Sequence, residues 1–156
     1  MNSATGIRYT DVSTTAQAPL GSCIEREDPT YGRQVWRYIK NSQGGALAAG
    51  EVLQTKDSTV WEVVKSATAI TTPRLVGVAQ FAIADGSYAF VLIEGWGLVM
   101  ADTAGITANT VVMTGAATAG RAQDFAAGAA AENRTFAFAT GVAVAGATAR
   151  ARISIQ

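Results

Sequence analysis

The carboxylates closest together in this sequence are Glu25, Glu27 and Asp28. A hydrolytic dyad would need two such groups to converge on one substrate bond. The segment carrying them is polar and runs into Pro29, which reads as a solvated turn. Cys23 lies just upstream in Gly21-Ser22-Cys23-Ile24, a short extended stretch. A nucleophilic thiol needs a base and an oxyanion hole, and the chain contains no histidine to act as that base. The same lack excludes a Ser-His-Asp triad. A structural zinc site needs about four Cys or His ligands, and the chain has one cysteine. Neither a GxxxxGK[ST] loop nor a GxGxxG turn occurs. Asp57 with Ser58 and Thr59, and Asp102 with Thr103, lack the alternating oxygen donors of a calcium loop and read as turns. No cofactor and no metal are expected.

With so little catalytic equipment, composition carries more weight. The 156 residues suit one compact domain with an appendage. Apolar residues make up 49% and charged residues only 15%, against about 25% in an average soluble domain. Twelve basic residues balance twelve acidic ones, with no run of either sign. Phosphate neutralisation needs clustered cations, so nucleic acid is not an expected partner. The start, Met1-Asn2-Ser3-Ala4-Thr5, has no basic or apolar leader character. The longest apolar run, residues 88–100, is broken by Glu94, Gly95 and Gly97, so no membrane helix is expected. A single cysteine fits a reducing cytosol as the place of synthesis.

Periodicity predicts an all-β fold: a compact barrel or sandwich of short antiparallel strands, residues 31–156, preceded by an extended N-terminal arm, residues 1–30. The arm is rich in Ser, Thr and Ala, with Ile7, Tyr9, Val12, Leu20 and Ile24 as its sizeable apolar residues. Strands are predicted over 34–40, 50–53 and 59–65, the last with Trp61 and Val63 on one face. Residues 74–83 and 88–94 flank Ala84-Asp85-Gly86-Ser87 and read as a tight hairpin. Gly95-Trp96-Gly97 predicts a bulge or corner. Short strands follow at 98–101, 110–114, 135–139, 141–145 and 148–155, with a helical turn within 121–132. Residues 98–149 are nearly all Ala, Thr, Gly and Val. A surface that bland predicts burial in a subunit interface.

Several short motifs recur in a telling order: Gly50-Glu51-Val52-Leu53, then Leu75-Val76-Gly77-Val78-Ala79-Gln80, then residues 85–95, then Gly141-Val142-Ala143. Together they resemble the capsid decoration, or cement, proteins of tailed bacteriophages, over about residues 34–155. In that family a "GDV" turn, a "GVA" strand, a "G-x-Y-x-x-V-x-x-x-G" hairpin and a closing "G-x-A" strand follow one another. The resemblance implies a non-enzymatic β domain on the outer surface of the virion, made in the host cytoplasm. It would bind the expanded head as a homotrimer at three-fold or quasi-three-fold positions and clamp neighbouring major capsid proteins. The loop around 116–133 and the Trp-rich strands depart from the family pattern.

On that reading the candidate capsid or subunit interface comprises Ile7, Tyr9, Val12, Leu20, Tyr88, Trp96, Met100 and Met113. Hot spots of such contacts are typically aromatic, which points to Trp36, Trp61, Tyr88 and Trp96, with Trp36 and Trp61 also suited to the core. Two other classes stay open. One is a glycan-binding or head-fibre-type attachment module, which would pair a Trp face with Asp, Asn or Arg; no local cluster of that kind stands in the sequence. The other is an enzyme working through carboxylates alone, such as Glu25, Asp85, Glu94 and Asp102.

Overall fold

The computed structural model describes residues 6–57, 61–68, 74–125 and 135–155. These contain strands and no helix, as the periodicity predicts. Ten strands form one sheet: β1 (Cys23–Asp28), β2 (Gly32–Asn41), β3 (Val52–Thr55), β4 (Glu62–Lys65), β5 (Leu75–Val78), β6 (Tyr88–Met100), β7 (Thr110–Thr114), β8 (Ala122–Asp124), β9 (Thr135–Ala139) and β10 (Thr148–Ser154).

The pairings trace two small rings that share β6. In the first, β2–β4–β3–β5–β6 runs full circle because β6 also pairs with β2, from Trp36 opposite Leu92 to Lys40 opposite Tyr88. In the second, β6–β10–β9–β7–β8 is drawn shut by a bridge between Ala101 and Ala122. The sheet is mixed rather than wholly antiparallel. The β3–β4 hairpin returns β4 alongside β2 in the same direction, with Lys40 opposite Glu62.

Strand β6 passes from one ring to the other at a bulge. Val35 faces Glu94 but Trp36 faces Leu92, which leaves Ile93 over. Gly95 follows at φ 114°, a conformation open to glycine alone at low cost. The bulge therefore falls at Ile93, just before the glycine-flanked corner; residues 95–97 pair regularly with β10 inside one continuous strand, whose far end is 98–100.

Both faces of β6 are buried near its start. Ala89 and Val91 join Ile39, Leu53, Val63 and Val76 inside the first ring. Phe90 and Leu92 face the other way, into a larger core with Trp36 and Tyr38 that continues through the second ring. There Ala101, Ala122, Ala139, Ala149 and Ala151 fill a narrow interior beside Phe136 and Ile153. Small side chains suit a ring this tight, which accounts for alanine at these five positions. The last strand alternates cleanly, with Ala149, Ala151 and Ile153 inward and Arg150 and Arg152 outward.

Several local expectations are corrected. The 74–94 hairpin keeps its tight turn at Asp85-Gly86, but β5 stops at Val78 and meets β6 only at Leu92. Past β5, the Ala79 amide bonds the Glu51 carbonyl and Ile83 bridges Leu47, which turns the chain toward the 47–51 loop. Trp61 precedes β4 at φ 71°, so it does not share a strand face with Val63; residues 58–60 lie outside the described chain. Residues 141–145 form no strand: only Ala143 pairs, with Ile106. Residues 122–124 are a strand, not a helical turn, and 126–132 lie outside the described residues.

Within residues 6–30, β1 pairs along its whole length with β2. Upstream, Ile7 is buried in the larger core and Tyr9, Ala18 and Leu20 pack against it. The segment is held by backbone bonds from Ser13 to Tyr88 and from Gly21 and Ser22 to Tyr38.

Candidate functional site

Sequence-adjacent carboxylates do not converge. The strand geometry of β1 sends Glu25 and Glu27 to its exposed face and Asp28 to the other, because side chains alternate at every residue. Glu25 pairs with Arg33 at 2.7 Å, and that hydrogen bond holds its carboxyl below the usual range. Asp28 accepts from the Thr30 and Tyr31 amides and pairs with Arg26 at 3.0 Å, and the Thr30 bond leads in lowering its pKa. Glu25 and Asp28 are thus held ionised by local partners, the opposite of a raised general acid. Cys23 is exposed at the start of β1.

The expected interface residues go to different places. Met113 is 1% exposed and Ile7 is buried, so both meet the protein's own core. Leu20 and Tyr88 are half-buried, Tyr88 with its ring stacked 6.2 Å from that of Tyr38. Half-buried Met100 bonds the Gly50 carbonyl through its amide. Val12 is exposed. Tyr9 and Trp96, far apart in sequence, are brought together on one groove.

That groove lies where the arm, β1, β2, β6 and β10 meet, and encloses about 270 Å³. Its rings are Tyr9, Tyr31, Trp36 and Trp96, and its charges are Arg26, Asp28 and Arg150. Tyr9 leans on Trp36 at 4.8 Å between ring centres, and Arg26 lies 4.3 Å above Tyr9. Arg150 lies 4.4 Å above Tyr31 and donates to its hydroxyl at 2.5 Å. Gln34 donates to the Trp96 carbonyl at 2.8 Å, which fixes the edge of β6.

A second surface runs from the groove across the second ring. Register places Trp96 opposite Arg152, Arg152 opposite Phe138, and Phe138 opposite Val111. Phe125 joins the row through its amide bond to the Val111 carbonyl. Directly opposed residues share a sheet face, so these side chains form one outward row across four strands and the residue that follows β8. Val111 and Phe138 are 45% and 42% exposed. The turn between β9 and β10 adds Val142 and Val144, exposed at 70% and 73%. The sequence put this row inside the 98–149 segment expected at a subunit interface, but alternation in its short strands did not single out Val111 or Phe138.

The fold is similar to that of the N base of the head fiber gp8.5 of bacteriophage phi29. The TM-score is 0.53 at 19% sequence identity, over 78% of this chain and 94% of that one. At that identity the likeness is one of fold. No known family and no curated protein matches the sequence.

Proposed function

We propose that this protein is a non-enzymatic structural component of a phage virion, seated on the outer surface of the head. Several copies, as a homotrimer at three-fold positions, clamp neighbouring major capsid proteins. The observation that carries this reading is the fold likeness to a phage head protein over nearly all of that protein's base. It agrees with the order of short motifs in the sequence. The outward row of Val111, Phe125 and Phe138 supports it, because a monomer gains nothing from exposing aromatic side chains in a line.

A second reading follows from the neighbour's own role as the base of a head fibre. In that case the module anchors a projecting partner instead of reinforcing the shell. The two separate on shell stability. A clamp that binds only the expanded lattice stabilises it by linkage, whereas an anchor needs no such preference. Purified protein is to be mixed with expanded and unexpanded heads, sedimented, and the heads then heated. Binding confined to expanded heads, with a raised disruption temperature, is the result expected of a clamp. Equal binding to both without a thermal shift assigns the anchor role, and no binding to either rejects both.

The exposed row makes a separate prediction. The double substitution Val111→Lys with Phe138→Glu should leave the fold intact, since the two residues face each other on the outer surface and the new charges attract. It should weaken self-association or shell binding by at least ~30-fold, as loss of a central apolar anchor does. Light scattering at micromolar concentration and the sedimentation assay read the two effects. Unchanged values in both would move the partner surface elsewhere.

A further inference from the structure

We propose that the groove between the two rings binds an acidic saccharide, with Arg150 meeting the carboxylate and Trp96 and Tyr31 meeting the sugar ring. The proposal does not depend on the shell-binding reading: Phe125, Val111 and Phe138 run away from the groove across β8, β7 and β9.

Three features of the groove ask for this chemistry. The first is its charge. Asp28 is committed to Arg26 and to two backbone amides, so it has little left to offer a neighbour. Arg150 has only the neutral Tyr31 as partner, and no carboxylate among the described residues is within ion-pair distance of it. A guanidinium held in place by a ring, with further N–H groups unused, is preorganised for a planar carboxylate. The second is an orphan donor. Trp36 is 3% exposed and lines the groove, and its Nε1–H has no acceptor among the described residues. A buried N–H without a partner is costly, and it leaves a polar point in the wall behind the groove's rings. The third is the aromatic lining. Trp96 and Tyr31 are half-buried there, beside polar groups, which fits a ligand that is itself amphipathic.

A sugar acid meets all three needs at once. One face of its ring is C–H, its hydroxyls accept and donate, and its carboxylate is planar. A plain inorganic anion would leave the rings unused, and a neutral hydrocarbon would leave Arg150 unpaired. The volume suits one or two sugar units rather than a long chain, near the lower end of small-ligand sites.

The test is a glycan array carrying sialylated, uronic-acid and neutral oligosaccharides. It is followed by tryptophan-fluorescence titration of the full chain with N-acetylneuraminic acid, glucuronic acid, glucose and acetate. Acidic glycans should bind at millimolar or better affinity, with neutral ones at least ~10-fold weaker. Arg150→Ala should remove that preference, and Arg150→Lys should restore part of it, since the charge returns without the fork. Arg150 is exposed, so the alanine variant should fold and still sediment with heads if the protein binds them. Failure of every glycan at multivalent presentation would overturn the proposal. So would acetate binding as well as the sugar acids, or acidic binding unchanged in Arg150→Ala. Loss of shell binding with glycan binding kept would instead reject the virion reading alone.

Discussion

Replacing Asp102 with alanine should lower the unfolding free energy by about 3 kcal/mol. Asp102 is 1% exposed. Its carboxylate accepts from the Thr103 amide at 2.8 Å, the Ala117 amide at 2.8 Å and the Thr118 amide at 3.3 Å. Its own amide donates to the Ala122 carbonyl at 2.7 Å, beside the bridge that draws the ring shut. Alanine would leave the amides at 117 and 118 without this acceptor, and a hydrogen bond to a charged group contributes about 1.5–3 kcal/mol. Asp102→Asn keeps one acceptor oxygen and the volume, and should cost about half as much. Urea unfolding of the three proteins checks the order, and a loss under about 1 kcal/mol in the alanine variant would refute this role.

The same residue sets a pH dependence. Burial works to raise the Asp102 pKa, but hydrogen bonds from Ala117, Thr103 and Thr118 more than offset it and hold the carboxyl below its ordinary value. Asp124 behaves alike: burial raises, and bonds from Thr107 and Thr110 prevail. A folded-state pKa below the unfolded value of about 3.9 adds stability that is complete above that value. It is lost as pH falls through the folded pKa. Acid should therefore loosen the second ring below about pH 4, and Asp102→Asn should show a shallower loss over that window. An equal acid slope in both proteins would remove Asp102 from the explanation.

Gly95→Ala should cost about 4 kcal/mol. The residue stands at φ 114°, and a Cβ there would lie 2.7 Å from the Arg33 carbonyl and 3.0 Å from the Gln34 side chain. Backbone strain contributes about 1–3 kcal/mol and overpacking a similar amount. Against a total stability of about 5–15 kcal/mol, that is a severe loss. Gly86→Ala is the matched control. It also has positive φ, at 70°, but nothing lies within 4 Å of the added Cβ, so strain alone remains, about 1 kcal/mol. Equal effects at the two sites would mean that β6 can shift at its bulge, and that the passage between rings is not tightly packed.

The hairpin expectation shows where local reasoning stops. Asp85-Gly86 does turn the chain, as its type requires. Yet the partner that a hairpin implies is taken over by β2, because Phe90 and Leu92 bury against Trp36 and Tyr38 only in that pairing. Gln80, read as a strand residue, instead spends its amide on the backbone of Leu98, at 2.8 and 3.1 Å. Residues 141–145 carry the right alternation for a strand, but Val142 and Val144 point to water. Alternation reports a pleated half-buried surface and is blind to which side another chain might cover.

From the residues alone follow the strand-rich class, the lack of histidine chemistry, the positions of β2, β7, β9 and β10, and the inward–outward order of β10. Each is a property of one segment, set by side-chain type at a period of two. Only the tertiary structure decided that β6 would serve two rings, that alanine would fill a narrow interior, and that Tyr9, Arg26, Trp96 and Arg150 would face one groove. Those outcomes depend on strand pairings that bring residues as much as 141 positions apart, Tyr9 and Arg150, to one groove. Such pairings are chosen by the apolar area that the whole chain can bury, which no single segment encodes.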